Sequence, residues 1–342
     1  MHVWLRCVMM LVVLLIGVTA WLTRAAAEEP LPQKRVRVEL GVGTWISAGD
    51  SRWSHNASGI SPLGNPTSRL TYSDDFADTN IVEFTGKISV GPRWFGRLNI
   101  GGASIGGGRL TDDDFLTPDG GNPSSRTHSN IDGSGMWYLN ADVGTRIANF
   151  SNGKGLLDGA VGFQYWRQTH EAYGVRQVSC SAAGATIPLD PTDPNSVLCD
   201  PNAASVSNSE HVISNTMTWY SLRTSLHTEY HLVKWLSVQG SVVLKPVNIF
   251  TNKDTHHLRV GSDFQDPSMT MLGVGFGADA DIGARVYVTK SLSAQVGYRV
   301  WWNRMIDGRW TNHLADGGSS VFPLTEMESL RHGLTAGINY SF

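Results

Sequence analysis

The sequence has 342 residues, with 27 Lys and Arg against 30 Asp and Glu and a formal net charge of −3. A chain with nearly balanced charge lacks the basic surface that binds nucleic acid, so no nucleic-acid partner is expected. Charged residues make up only 17%, whereas 37 glycines and 12 tryptophans are high for this length, and this composition favours a β protein with little helix.

The chain begins with a segment that is typical of export. A positive charge precedes the apolar run from Cys7 to Leu22, and the three alanines that end at Ala27 offer a cleavage site. This pattern predicts a secretory signal peptide over residues 1–27 and one mature domain over residues 28–342. An N-terminal membrane anchor is the alternative, but the alanines follow the apolar run too soon to favour it.

Strand-like alternation recurs along the mature chain. Every second residue of a strand points to the same face, so alternating apolar and polar residues predict strands with one apolar face. The final run ends in Phe342, and it resembles the closing strand of Gram-negative outer-membrane barrels. An even number of strands is typical of single-chain bacterial barrels. The ten predicted strands cover residues 36–47, 79–90, 95–106, 136–150, 156–177, 216–233, 236–250, 273–290, 292–306 and 332–342.

The connections between these strands fall into a short set and a long set. Short turns on one side and long loops on the other are the pattern of outer-membrane barrels, with the long loops outside the cell. The sequence therefore predicts an all-β fold, a ten-stranded antiparallel transmembrane β-barrel with long extracellular loops. A soluble secreted β-sandwich is the alternative, although its strands are usually shorter, at about 5–6 residues. The predicted long loops are 49–68, 109–135, 178–215, 259–268 and 307–330.

Two cysteines, Cys180 and Cys199, remain after removal of the signal peptide. Two cysteines in an exported protein most simply form one disulfide, so this pairing is predicted. The bond would close a loop rich in Pro, Asp and Ser, and closure of a loop of this length stabilises by roughly 3 kcal/mol in the chain-entropy model.

Two short motifs are the candidates for chemistry, because the sequence has no Walker, HExxH or CxxC motif. Asp112 and Asp114 lie in "GGRLTDDDF", and Asp254 and His256 lie in "TNKDTHH". Each motif follows a short turn by nearly the same number of residues, so both are expected about 40 Å up the barrel wall. By strand count they belong to the third and seventh strands, which face each other across the barrel mouth.

These residue types suit hydrolysis by an activated water molecule. Residues two apart on a strand share a face, so each motif presents its two polar side chains together. A histidine oriented by an aspartate acts as a general base, and facing carboxylates hold the water. Alternation counted from Leu236, however, points Asp254 and His256 to the lipid side. A one-residue bulge near Pro246 would turn them inward.

Simpler interpretations of the motifs stay open at this point. The acidic run also fits a solvated or calcium-binding loop, and "DTHH" also fits a polar loop or a chance metal site. Adjacent residues of a strand point to opposite faces, which disfavours one metal ion bound by both His256 and His257. His128 lies in a predicted loop and is a further candidate for the site.

Together, the strand plan, "GGRLTDDDF" and "KDTHH" resemble the omptins, outer-membrane aspartate-type endopeptidases with a narrow ten-stranded barrel. The resemblance implies that Asp112 and Asp114 form one catalytic pair and that Asp254 and His256 form the other. It implies no cofactor, although omptins depend on lipopolysaccharide held by outward basic residues, for which Arg167 is the candidate here.

The chain departs from the omptin pattern at a position that selects substrates. Enterobacterial omptins carry an acidic residue two positions before the dyad aspartate, and this chain has Asn252 there. Cleavage between basic residues is therefore not implied.

The sequence thus predicts an omptin-like endopeptidase of the outer membrane. Its expected partners are membrane lipid, lipopolysaccharide and a peptide or protein substrate at the extracellular face. The alternative is a non-enzymatic barrel of the same fold, such as a porin, an adhesin or another surface protein. A narrow polar interior favours the endopeptidase, and a wide continuous lumen favours the porin.

Overall fold

A computed structural model of the protein describes residues 36–117, 120–183, 185 and 198–342. The predicted signal peptide lies outside the described residues. Within them the chain forms strands and a single 3-10 turn, His257–Arg259, and no helix is long and apolar enough to cross a membrane. In chain order the strands are β1 (Val36–His55), β2 (Ser68–Asp74), β3 (Thr79–Val90), β4 (Trp94–Ile105), β5 (Gly108–Asp114), β6 (Ser125–Ile131), β7 (Ser134–Phe150), β8 (Gly155–Cys180), β9 (Val206–Val233), β10 (Leu236–His256), β11 (Phe264–Tyr287), β12 (Leu292–Leu314) and β13 (Ser319–Ser341).

Ten of these strands close into an antiparallel ring. Going around the ring, β1 pairs with β3, β3 with β4, β4 with β7, and β7 with β8. The strands from β8 to β13 then pair in sequence order, and β13 returns to β1 with Glu39 opposite Ser341. A closed ring has no free edge, so the prediction of an all-β, ten-stranded barrel is confirmed.

Three short strands, β2, β5 and β6, raise the wall beyond the ring. β2 pairs with the far part of β1 and with β5, while β6 pairs with β5 and with the far part of β8. They take the places that β3, β4 and β7 hold lower down, so this part of the wall also has ten strands. The end of the barrel that they build is called the mouth, and the opposite end is called the short-turn end.

The connections at the mouth are shorter than the sequence predicted. The predicted loop 307–330, for example, is mostly strand, because β12 runs to Leu314 and β13 begins at Ser319. Near the mouth the outward face carries polar as well as apolar side chains, so the alternation that marks the lower strands fades although the pairing continues. The connection between β8 and β9 carries the predicted disulfide, Cys180–Cys199, with the Cα atoms 5.8 Å apart.

The outward face of the ring is apolar. Soluble proteins rarely expose so many large apolar side chains side by side, and such a band suits contact with lipid tails. The exposed side chains of the band include Leu40, Val42, Val82, Phe84, Ile100, Val143, Val161, Phe163, Leu222, Val242, Ile282, Val296 and Ile338.

Four aromatic rings from opposite walls meet inside the barrel. From the sequence alone, Trp301 is predicted to lie in the aromatic girdle at the membrane interface, where tryptophans of such barrels are enriched. That expectation is wrong, because Trp301 is only 2% exposed and lies in the interior. The centroid of its ring lies 4.9 Å from that of Trp45, 4.6 Å from that of Tyr138 and 5.5 Å from that of Trp166. These four side chains are called the aromatic layer.

Charged side chains fill much of the remaining interior and are paired. Arg331 on β13 pairs with Asp74 on β2, and Arg299 on β12 pairs with Glu83 on β3, so each pair links strands that are not neighbours in the wall. Arg285 pairs with Glu39 at 3.1 Å in the same manner. A polar cavity of about 940 Å³ lies at the short-turn end and reaches Trp301. For the described residues, the interior is thus narrow and polar, and the aromatic layer separates this cavity from the mouth.

The aromatic layer predicts that the barrel conducts ions poorly. Wild-type protein in a planar lipid bilayer should give no steady conductance, because the four rings leave little room for hydrated ions. The double variant Trp45→Ala/Trp301→Ala should conduct measurably if it keeps the heat-dependent gel mobility of a folded barrel. Large steady pores formed by the wild type would contradict this prediction and favour the porin.

Candidate active site

The acidic motif lies on β5, in the part of the wall beyond the ring. Asp112 and Asp114 face the interior, while Asp113 between them forms an ion pair with Arg126, with nitrogen–oxygen distances of 2.5 and 2.9 Å. The Oγ of Ser68 on the neighbouring β2 donates a hydrogen bond of 2.5 Å to Asp114 Oδ1. The strand thus presents two carboxylates to the interior side by side, as the Asp-x-Asp spacing predicts.

β10 changes the face that its side chains present about halfway along. Its register shifts by one residue between Leu244 and Val247 relative to β9, and a matching shift occurs relative to β11. Pro246 lies within the shift, where its missing N–H costs the ladder no hydrogen bond. Beyond this bulge the even-numbered residues 248–256 face the interior. The predicted bulge is therefore confirmed, and it turns Asp254 and His256 toward the mouth.

Asp254 is held by three polar neighbours and is fully buried. Its Oδ2 accepts hydrogen bonds from the Tyr72 hydroxyl at 3.1 Å and from Asn215 Nδ2 at 2.7 Å. Its Oδ1 lies 3.0 Å from His256 Nε2, although the ring is turned so that no well-directed hydrogen bond joins these two atoms. This carboxylate is fixed in place, and its second oxygen faces the imidazole.

His256 keeps contact with the solvent at the edge of the site. Its side chain is 17% exposed, whereas Asp254 beneath it has no exposure. The backbone N–H of His256 donates to Ser268 Oγ at 3.0 Å, and Phe264 packs edge-on against the imidazole at 6.2 Å. With Nε2 facing Asp254, the other ring nitrogen is left to exchange protons with a bound water or substrate.

The pKa values of Asp112 and Asp114 depend on burial and on the neighbouring charges. Burial raises the pKa of Asp112 well above its usual range, and the charges of Asp114 and Asp254 raise it further. Burial also raises the pKa of Asp114, while the hydrogen bond from Ser68 and the charge of His256 lower it. The aspartate pair therefore retains a proton at a pH where an ordinary aspartate is ionised.

Two members of the site were missed by the sequence analysis. Tyr72 on β2 is fully buried, stacks on His170 with the ring centroids 5.0 Å apart, and reaches Asp254 on β10. Burial and the charge of Asp254 raise the pKa of Tyr72 well above its usual range, so it stays a hydrogen-bond donor. Asn215 is the cross-strand partner of Asp254. Alternation gives the face of each residue, but the pairing register that brings them to Asp254 is not written in one sequence.

His128 does not belong to the site, and its prediction as a further member is wrong. It lies on β6, where Ser125 and Ser129 face the interior and His128 faces outward. Burial and the charges of Arg109 and Arg176 lower its pKa. Strand β6 continues the wall through the predicted loop, and its alternation sends His128 away from the mouth.

Asn252 faces the interior immediately below Asp254. It exchanges two hydrogen bonds with Asn215, of 3.1 and 3.0 Å. The position where enterobacterial omptins carry an acidic residue is thus occupied by a neutral, buried amide pair. Nothing at this position attracts a basic substrate side chain.

Asp112, Asp114, Asp254 and His256 do not form a metal-ligand group. Among the described residues, the group of three His, Cys, Asp or Glu side chains close enough to hold one metal ion comprises Glu171, His211 and His257. His257 thus points away from His256, as alternation predicts.

The fold of the chain is similar to that of the outer membrane protease OmpT of Escherichia coli, with a TM-score of 0.68. The two are 14% identical, and the match covers 92% of this chain and 99% of that one. The translocator domain of the autotransporter NalP from Neisseria meningitidis matches at 10% identity, over 91% of this chain and 90% of that one, with a TM-score of 0.33. No family model matches the sequence, and neither does any curated protein. At this identity the likeness to OmpT shows an omptin-like barrel fold.

The raised pKa of Asp112 predicts that this carboxylate weakens the fold at neutral pH. A raised folded-state pKa contributes stability at low pH, and this contribution is lost as the pH rises through the folded-state pKa. Asp112→Asn keeps a neutral side chain at every pH. We expect it to resist chemical unfolding better than the wild type at pH 8, with a smaller difference at pH 4, measured by tryptophan fluorescence in detergent.

Asp113→Asn is the matched control for this experiment. It changes the adjacent residue but removes an outward ion pair with Arg126, so it should gain no stability at pH 8. Equal or lower stability of Asp112→Asn at pH 8 would show that the buried carboxylate does not strain the fold.

Proposed function

We propose that the protein is an omptin-like endopeptidase of the outer membrane, in which Asp254 and His256 activate a water molecule opposite Asp112 and Asp114. One observation carries the proposal: the two motifs, far apart in sequence, face one polar mouth, where the charges of Asp254 and His256 act on the pKa values of Asp112 and Asp114. Asp112 Oδ1 is buried without a hydrogen-bond partner. Perturbed acids of this kind cluster at catalytic sites.

The proposed reaction begins with proton transfer from water to the imidazole. Asp254 Oδ1 faces His256 Nε2, so the other ring nitrogen accepts the proton as the water oxygen attacks the peptide carbonyl carbon. The proton shared by Asp112 and Asp114 gives a hydrogen bond to the oxyanion that forms. The imidazolium then returns its proton to the leaving amine as the carbon–nitrogen bond breaks, and neither a metal ion nor a covalent intermediate is needed.

Tyr72 and Asn215 act as positioning residues in this proposal. They bind Asp254 Oδ2, so its Oδ1 remains directed at His256. Without them the carboxylate could rotate away from the imidazole. Preorganised groups of this kind stabilise developing charge without the reorganisation that water would need.

The apolar band on the outward face of the ring supports location in a membrane, and the closed barrel supports the outer membrane of a Gram-negative bacterium. In that setting the short-turn end faces the periplasm, and a peptide or protein substrate enters from outside. Exposed arginines, namely Arg109, Arg167 and Arg176, lie on the outward face toward the mouth. They support contact with the phosphates of lipopolysaccharide.

Loss of the imidazole is the sharpest test of the proposed activity. His256→Ala should lower peptide hydrolysis by roughly 10²–10⁴-fold, the usual contribution of a general base. Asp254→Asn should act similarly through a misoriented imidazole, and Asp112→Asn or Asp114→Asn should also reduce the rate. The measurement is cleavage of a peptide library by purified protein reconstituted with lipopolysaccharide.

The chain offers matched controls for both motifs. His313→Ala removes a histidine near the mouth that faces outward and contacts Thr270 Oγ1 at 2.8 Å. Asp113→Asn removes the outward member of the acidic run. Both should keep wild-type rates. A folded wild type that cleaves no peptide in the library, or His256→Ala and Asp112→Asn variants as active as the wild type, would overturn the proposal.

A further inference from the structure

A second polar cluster lies on the outward face of the barrel wall, whereas Asp254 and His256 face the interior. His170 on β8 points inward, where its Nε2 lies 3.1 Å from Asp74 Oδ1, so the next residue, Glu171, points outward. His211 on β9 and His257 in the 3-10 turn after β10 lie beside it. The potential ligand atoms of Glu171, His211 and His257 all lie within 4.8 Å of one another. The proposed hydrolysis uses none of them.

The hydroxyl of Ser214 lies at the centre of this cluster. Its Oγ is 2.7 Å from Glu171 Oε2, 3.2 Å from His211 Nε2 and 2.6 Å from His257 Nε2. The hydroxyl of Ser214 has one proton, and it donates this proton in a hydrogen bond to Glu171, because a carboxylate can only accept. Two imidazole nitrogens therefore converge on one small oxygen, which stands where a shared partner of both rings would stand.

The two imidazoles are held in place by their neighbours. Their ring centroids lie 4.0 Å apart, and Tyr173 stacks on His211 with centroids 4.9 Å apart. His211 Nε2 also lies 2.6 Å from Glu171 Oε2. Two nitrogen donors and one oxygen donor are thus directed at one point by side chains with little freedom to turn elsewhere.

We infer that Glu171, His211 and His257 form a binding site for a divalent transition-metal ion of the zinc class. Two imidazoles and one carboxylate are a known three-ligand zinc set, with metal–ligand distances of about 2.0–2.2 Å. In a tetrahedral zinc site such distances place the ligand atoms about 3.4 Å apart. The ligand atoms of this cluster lie within 4.8 Å of one another, so side-chain shifts of about 1 Å would bring them to zinc-binding positions. Water or the Ser214 hydroxyl would complete the shell. Calcium and magnesium are disfavoured, because they prefer sets made of oxygen ligands.

The site would join three segments of the wall. Glu171 comes from β8, His211 from β9, and His257 from the turn that leaves β10. A bound ion would tie the start of the β10–β11 connection to the two strands beside it. Because the inference concerns metal binding alone, its outcome does not depend on whether the barrel hydrolyses peptides.

Zinc titration of the folded wild-type protein tests the site. The mature chain, refolded in detergent and freed of metal with a chelator, should bind a single zinc ion per chain in isothermal titration calorimetry. Zinc should also protect His211 and His257, but not His313, from modification by diethyl pyrocarbonate, read out by peptide mass spectrometry. No zinc uptake, or zinc uptake without protection of these histidines, would overturn the inference without any variant being made.

Variants then assign the ligands. His211→Ala and Glu171→Gln should each weaken zinc binding by at least about 10-fold, since even outer-shell changes reach that size. His313→Ala should bind zinc as the wild type does. Each variant is first checked for the heat-dependent gel mobility of a folded barrel. Wild-type affinity in both folded ligand variants would show that the zinc binds elsewhere and that this cluster is only a hydrogen-bonded contact between strands.

Discussion

Closure of the ten-stranded ring sets the width of the interior, and the other features depend on that width. A ring of this size leaves room for side chains but not for a broad channel. Trp301 therefore touches aromatic rings on both its own side and the opposite side of the barrel. The same narrowness lets Tyr72, on β2, donate to Asp254 on β10. In a wider barrel, neither the aromatic layer nor the shared mouth would form.

The bulge in β10 gives this narrow barrel its candidate chemistry. Without the register shift near Pro246, the upper part of the strand would present Asp254 and His256 to the lipid side. An interior acid next to other acids is unfavourable for folding, and Asp112 is such a group. Barrel stability alone gives no reason to bury it without a hydrogen-bond partner. Structures tend to tolerate such conflicts where they serve a function, and the aspartate pair fits that description.

Much of the fold could be predicted because alternation is a local property. The ring strands, the terminal run ending in Phe342 and the disulfide each depend on residues near one another in sequence or on simple counting. Strands β2, β5 and β6 could not be recognised, because both of their faces carry polar residues in "SRLTYSD", "GRLTDDD" and "SRTHSNI". The location of Trp301 was predictable but missed: Arg299 and Asn303, two residues to either side of it, face the interior. The high tryptophan content suggested that Trp301 lies in the membrane-interface girdle, whereas its alternation with Arg299 and Asn303 places it in the interior.

The candidate site was predictable in its residues but not in its contacts. The spacing in "TDDDF" and "KDTHH" identified two pairs, and the count along each strand placed them level, but Asp254 and His256 could point inward only with a bulge near Pro246. Asn215 and Tyr72 depend on pairing register, which a single sequence does not encode. The outward cluster of Glu171, His211 and His257 was hidden for the same reason, since its members lie on separate strands.

The interior ion pairs constrain how the barrel can be assembled. Arg331 and Asp74 are 257 residues apart, Arg285 and Glu39 are 246 apart, and Arg299 and Glu83 are 216 apart. Arg299 has a second partner, Asp281, on the neighbouring β11, but Glu39, Asp74 and Glu83 meet these arginines only when the last strands return to the first ones. An open sheet inserted into lipid would carry unpaired charges, which are strongly disfavoured there. Entry into the bilayer and closure of β13 onto β1 are therefore expected to occur as one cooperative step, with the C-terminal strand completing both.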